Sequence, residues 1–226
     1  MLDKAVGFIF KHRFPKHIFG IHDFVVGRLA RAYYTLYAKA IFRMQGCEIG
    51  DGAVFDGPVI VRCDQWNCIQ IGKNIKVNSR KLSNLVGLTG PAIFQCLGPG
   101  SIQIGDNCGL SATVLSARMH IAIGNNVTIG ANVRILDHDF HSLNHMDRRD
   151  VLADNANCSK MAVTVGDDTL IGTNAVILKG VQIGERVIVG ANSVVALKSV
   201  PPDCVVAGNP ARIIARNARK GTSRSA

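Results

Sequence analysis

The chain has 226 residues, is 47% hydrophobic and 19% charged, and carries a formal charge of +10. That length suits one domain with an appended segment and is enough to bury a sizeable core. The charge sits at the ends: residues 1–45 hold eight Lys/Arg against Asp3 and Asp23, residues 212–226 hold five basic residues and no acid, and the body between is nearly balanced. A nucleic-acid binder spreads basic charge over its binding face and interleaves aromatics, so no nucleic-acid partner is expected.

Residues 1–46 read as a basic helical segment. "GRLARAYYTLYAKAIFRMQG" mixes aromatic, aliphatic and basic residues, which suits a helix on a membrane surface or packed within an oligomer. The apolar run "AVGFIF" is short and lacks a small-residue cleavage site, so no signal peptide is expected. The window 21–42 contains Asp23, Arg28, Arg31 and Lys39 and does not suit a bilayer span. Seven cysteines, an odd number with no C-x-x-C pair, read as free thiols in a reducing cytoplasm, several of them small core residues.

From position 47 the chain falls into units of six. The pattern is plainest in "VGDDTLIGTNAVILKGVQIGERVIVGANSVV", where Val165, Ile171, Ile177, Ile183, Val189 and Val195 recur at every sixth position. Glycine follows four of them, and Thr169, Ala175, Val181, Val187, Ser193 and Ser199 fall four residues after each. Neither a helical period of 3.6 nor a strand period of 2 describes this spacing. A six-residue unit with one inward aliphatic, a turn glycine and a second inward residue makes one side of a triangular coil, and three units complete a turn of a parallel β-helix. The same beat starts at Ile49, Ile71, Ile104 and Ile123. It is expected over 47–211, interrupted by excursions at 78–101 and 136–162. "PPDCVVAGNPARIIARNARKG" reads as a closing strand, a turn at Asn209-Pro210 and a short basic C-terminal helix or tail over 212–226.

The second excursion holds "ILDHDFHSLNHMDRR", with His138, His141 and His145 within eight residues. Together with the repeat, the restart "VTVGDDTLIGTNAVILKGVQIG" and the ending "VPPDCVVAGNPARII", it makes the chain resemble the hexapeptide-repeat acyltransferases, in particular the sugar and exopolysaccharide O-acetyltransferases. The resemblance covers about residues 47–216. It implies an all-β, left-handed parallel β-helix assembled as a homotrimer. It also implies transfer of acetyl from acetyl-CoA to a hydroxyl of a polysaccharide or lipopolysaccharide precursor, in the cytoplasm or at the inner membrane face, with no metal required.

The resemblance places the catalytic histidine at His141, with Asp139 beside it to orient the imidazole or the acceptor. Asn84 and Ser111 match acceptor-pocket positions, and Gly172, Thr173, Ala191, Lys198 and Arg212 match the coenzyme A side. An imidazole near neutral pKa can take the proton of a sugar hydroxyl, and direct transfer needs no covalent intermediate. The alternatives are a different acceptor (an antibiotic, serine or amino sugar), a zinc-binding coil of the carbonic-anhydrase type using the three histidines, and a non-catalytic scaffold.

Overall fold

The computed structural model describes residues 14–216, with the side chains of residues 14–24 left aside. Among the described residues, twenty-one short strands form three sheets of seven, eight and six strands. Sheet A begins with Glu48–Ile49, sheet B with Val54–Asp56 and sheet C with Val59–Cys63. The chain visits A, B and C in rotation, and every pairing within a sheet is parallel until the last strand. This is a triangular parallel β-helix.

The expected inward positions hold. Val165, Ile171, Ile177, Ile183, Val189 and Val195 are all buried, as are Thr169, Ala175, Val181, Val187 and Ser193 between them. Each aliphatic lies over its counterpart in the next turn, as with Val165 over Ile183 and Ile171 over Val189. Burial of such a side chain stabilises by roughly 1.5–3 kcal/mol, and only neighbouring turns can supply it. Ser199 departs from the expectation: it faces outward and Val200 turns in. The final turn is one residue shorter, so Ile183 pairs with Val200 instead of residue 201.

The corners are made by residues in the left-handed backbone region. Asn74, Asn107, Asn126, Asn132, Asn174 and Asn192 all have φ between +57° and +60°. Asparagine tolerates this region better than other residues with a Cβ. Their amides also stack from turn to turn, Asn74 donating to Asn107 (3.1 Å) and Asn174 to Asn192 (3.2 Å).

Three boundaries differ from the sequence expectation. Ala92–Cys96 is a strand of sheet C in register with Val59–Cys63, so the first excursion narrows to 79–91. Its residues alternate inward and outward without the hexad glycine, which hid it from the six-residue pattern. The second excursion leaves after Arg134–Leu136 and returns at Val163–Val165. The basic C-terminal helix is replaced, over its described part, by a strand, Ala211–Arg216, antiparallel to Cys204–Gly208. The exposed edge of the last sheet B strand needs hydrogen-bond partners, and the returning chain supplies them. The rest of that expected helix lies outside the described residues.

At the other end, helix α1 (Phe14–Met44) covers the first turn. Phe42 is fully buried, its ring 6.0 Å from Phe55 and 5.4 Å from Phe94. Thr35 and Phe55 exchange hydrogen bonds at 3.0 and 3.2 Å, and the buried Asp56 carboxylate pairs with Arg31 of α1 and with Arg80. The opposite side of α1 leaves Leu29, Tyr33 and Leu36 exposed. Among the described residues no helix is long and apolar enough to cross a membrane.

Candidate active site

The excursion over 137–162 has a buried base and an exposed tip. At the base, the Asp137 carboxylate accepts from the backbone N–H groups of Arg118 (2.7 Å) and Met119 (2.8 Å) and lies 3.0 Å from His138 Nδ1. The His138 ring is fully buried and packs against Phe140 with centroids 4.3 Å apart. Asp139 is held by Lys179, whose Nζ lies 2.5 and 2.6 Å from its two carboxylate oxygens. His138 and Asp139 therefore fasten the loop to the coil.

The tip presents His141, whose ring is 70% exposed. Its Nδ1 lies 2.7 Å from Asp154 Oδ2, while Asp154 Oδ1 accepts from the Ser142 N–H at 2.7 Å. Asp154 stands on the short helix α2 (Val151–Ala156), capped by Asp150, whose Oδ1 accepts from the Ala153 N–H at 2.8 Å. Ser142 Oγ donates to Asp147 (2.7 Å), and Arg148 donates to the carbonyls of Ser142 and Leu143. The imidazole and the Ser142 N–H hold the Asp154 carboxyl below the ordinary aspartate range. An Nδ1–H pointed at a carboxylate fixes the tautomer that leaves Nε2 free to accept a proton. Phe140, immediately before His141, has φ +66°, unusual for an aromatic residue and a local strain at the point where the loop turns outward. His145 is exposed and apart from this arrangement.

The carboxylate beside His141 is thus Asp154 and not the expected Asp139. Asp154 lies thirteen residues further on, within the irregular excursion, and no sequence spacing marks it.

The other expected site residues divide between two edges of the prism. Asn84 and Ser111 meet at the edge between sheets B and C, where Asn84 Nδ2 donates to Ser111 Oγ at 3.1 Å. The loop over 79–91 is pinned to this edge by Asn132, which accepts from Thr89 N and Oγ1 and donates to the Gly87 carbonyl. Gly172, Thr173 and Ala191 lie on the same edge, one turn above another. A Cβ on Gly172 would stand 2.5 Å from the Ala191 nitrogen, so the corners approach too closely there for any side chain. His141, Asp139 and Lys198 belong instead to the edge between C and A, Lys198 being exposed two turns past the loop. Arg212, in the closing hairpin, is exposed and donates to the Ala211 carbonyl at 3.1 Å. In one chain, sheet C separates the two groups.

The family model described as bacterial transferase hexapeptide (six repeats) matches residues 162–196, the stretch where the six-residue beat is clearest. The chain carries the bacterial transferase hexapeptide repeat over that stretch. WbbJ of Escherichia coli (strain K12), assigned by name to O-acetyl transfer in lipopolysaccharide biosynthesis, is 36% identical over 54% of this chain and 63% of its own length. The galactoside O-acetyltransferase of the same organism is 37% identical over 42% of this chain and 43% of its own. The chain therefore spans about half the length of the curated relatives it matches. A solved hexapeptide-repeat acetyltransferase of Vibrio cholerae, VCA0836, superposes with a TM-score of 0.51 at 26% identity, covering 79% of this chain and 78% of the other. The shared hexapeptide fold is the left-handed parallel β-helix.

Proposed function

We propose that the protein is an O-acetyltransferase that moves acetyl from acetyl-CoA to a hydroxyl of a saccharide precursor of a polysaccharide or lipopolysaccharide. The observation that carries this reading is the exposed His141 imidazole held through Nδ1 by Asp154. The two relatives above, both named for O-acetyl transfer, support it. His141 Nε2 takes the proton of the acceptor hydroxyl as its oxygen attacks the thioester carbonyl. The tetrahedral intermediate then expels the coenzyme A thiolate, and the imidazolium returns the proton to the sulfur. Asp154 keeps the ring in its tautomer and stabilises the cation that forms midway.

Asn84 and Ser111 face the acceptor. Gly172, Thr173 and Ala191 offer a side-chain-poor edge along which the pantetheine arm lies, and Lys198 and Arg212 meet the nucleotide phosphates. Because these residues occupy two edges of one prism, the site forms between copies, His141 from one and the B–C edge from the next, as in a homotrimer. The enzyme works in the cytoplasm or at the inner membrane face. The apolar row Leu29, Tyr33, Leu36 and the basic residues of α1 suit an anionic lipid surface there.

An acetyl-CoA consumption assay over a panel of nucleotide sugars and lipid-linked sugars tests the reading. His141→Ala is expected to lower the rate about 10²–10⁴-fold with acetyl-CoA binding retained. An unchanged rate refutes the assignment. Light scattering that finds a monomer active on its own refutes the shared site.

A further inference from the structure

The coil carries a second cluster of reactive groups, at the α1 end of the same C–A edge from which the His141 loop leaves. Cys47, Cys63 and Cys68 bring their sulfurs within 4.8 Å of one another, and the Sγ atoms of Cys47 and Cys63 are 3.7 Å apart. Cys96 is paired in register with Cys63, and its thiol points at the Cys68 carbonyl at 3.7 Å. None of the four is in a disulfide. They come from separate pieces of chain: the link after α1, the end of the first sheet C strand, the start of the second turn, and the end of that turn.

A thiolate–zinc bond of about 2.3 Å gives a tetrahedron with edges of about 3.8 Å, so the Cys47–Cys63 separation is already that of two ligands on one ion. A thiol acting only as a small core residue packs against carbon. Here three sulfurs pack against sulfur, and a single disulfide would leave the others unmatched. Lys39 and Arg43 line the groove beside Cys47 and offset the negative charge that thiolates would bring. The peptide Asp64–Gln65–Trp66–Asn67 bridges Cys63 and Cys68, with Trp66 laid over Gly46 and Asn67 N–H donating to the Gln45 carbonyl at 3.3 Å. Cys63 is the partly exposed member and gives an ion its way in.

We propose that Cys47, Cys63 and Cys68 form a binding site for a thiophilic closed-shell cation, zinc, with Cys96 the adjacent fourth thiol. The ion ties the end of α1 to the first two turns of the coil at the end of the prism that α1 caps. It takes no part in acyl transfer: the His141 loop leaves the coil three turns beyond Cys63 and two beyond Cys96.

The test uses full-length protein, stripped with a chelator under reducing conditions and titrated with Co²⁺. One equivalent is expected to produce sulfur-to-cobalt charge-transfer absorption in the near ultraviolet and the visible bands of a tetrahedral ion, both abolished by Zn²⁺. Cys63→Ser is expected to lose the charge-transfer band at one equivalent, and Cys108→Ala to keep it. In the unaltered protein, saturating zinc is expected to protect Cys63 from iodoacetamide, mapped by peptide mass spectrometry, which needs no variant to fold. An octahedral cobalt spectrum without thiolate bands overturns the proposal, as does Cys63 alkylation at the same rate with and without zinc. Neither result bears on the acetyltransferase reading.

Discussion

At the scale of single residues, chemistry follows from which carboxylate reaches which imidazole. Asp139 is two residues from His141 in sequence, yet its charge is spent on Lys179, and Asp154 comes round on α2 to take its place. Asp154→Asn is expected to lower kcat by less than the roughly 10²–10⁴-fold loss expected of His141→Ala while leaving the KM for acetyl-CoA unchanged. The amide can still hold the ring but cannot stabilise the imidazolium. Steady-state kinetics of the two variants decide it, and an equal change in KM would assign Asp154 to binding. Because its own pKa is lowered, Asp154 stays ionised below the usual aspartate value near 3.9, so its contact with His141 is present above that pH and lost only in stronger acid. His138 shows the opposite fate of a nearby histidine: it is buried on Asp137 and its work is to anchor the loop.

At the scale of elements, the six-residue beat reveals the strands wherever glycine and an aliphatic recur together. It fails where one cue is missing, as in Ala92–Cys96, which keeps the inward alternation but not the glycine. Asparagine at the fourth place of "IGKN", "IGDN", "IGNN" and "IGTN" also marks a left-handed corner, although Asp168 and Arg186 make such corners without it. The cap at the start of the coil depends on α1. Phe42→Ala removes the ring that fills the space between Phe55 and Phe94 and is expected to cost about 3–5 kcal/mol. Chemical denaturation measures this directly, and a loss below about 1 kcal/mol would mean that α1 does not seal the core.

At the scale of the molecule, burial raises the thiol pKa values of Cys47, Cys63, Cys96 and Cys108. A group whose pKa is raised on folding contributes stability that is complete below its unfolded pKa and disappears as pH rises. Metal-free, reduced protein is therefore expected to lose thermal stability once pH passes about 8.5, where unfolded thiols ionise and folded ones do not. A Tm that stays level from pH 8 to pH 10 would contradict this.

The coil is legible in the chain because a period of six is a local property: each unit sets its own inward aliphatic and its own corner. The break in that period also marked the loop with His138, His141 and His145, and the resemblance, not the period, points to His141 among them. The pairing of His141 with Asp154, the convergence of Cys47, Cys63 and Cys68, and the placing of Asn84 and Ser111 on a different edge from His141 came only from the tertiary structure. Those contacts join residues from five to several tens of positions apart, and which of them meet depends on the lengths of excursions and of whole turns. No local pattern records those lengths.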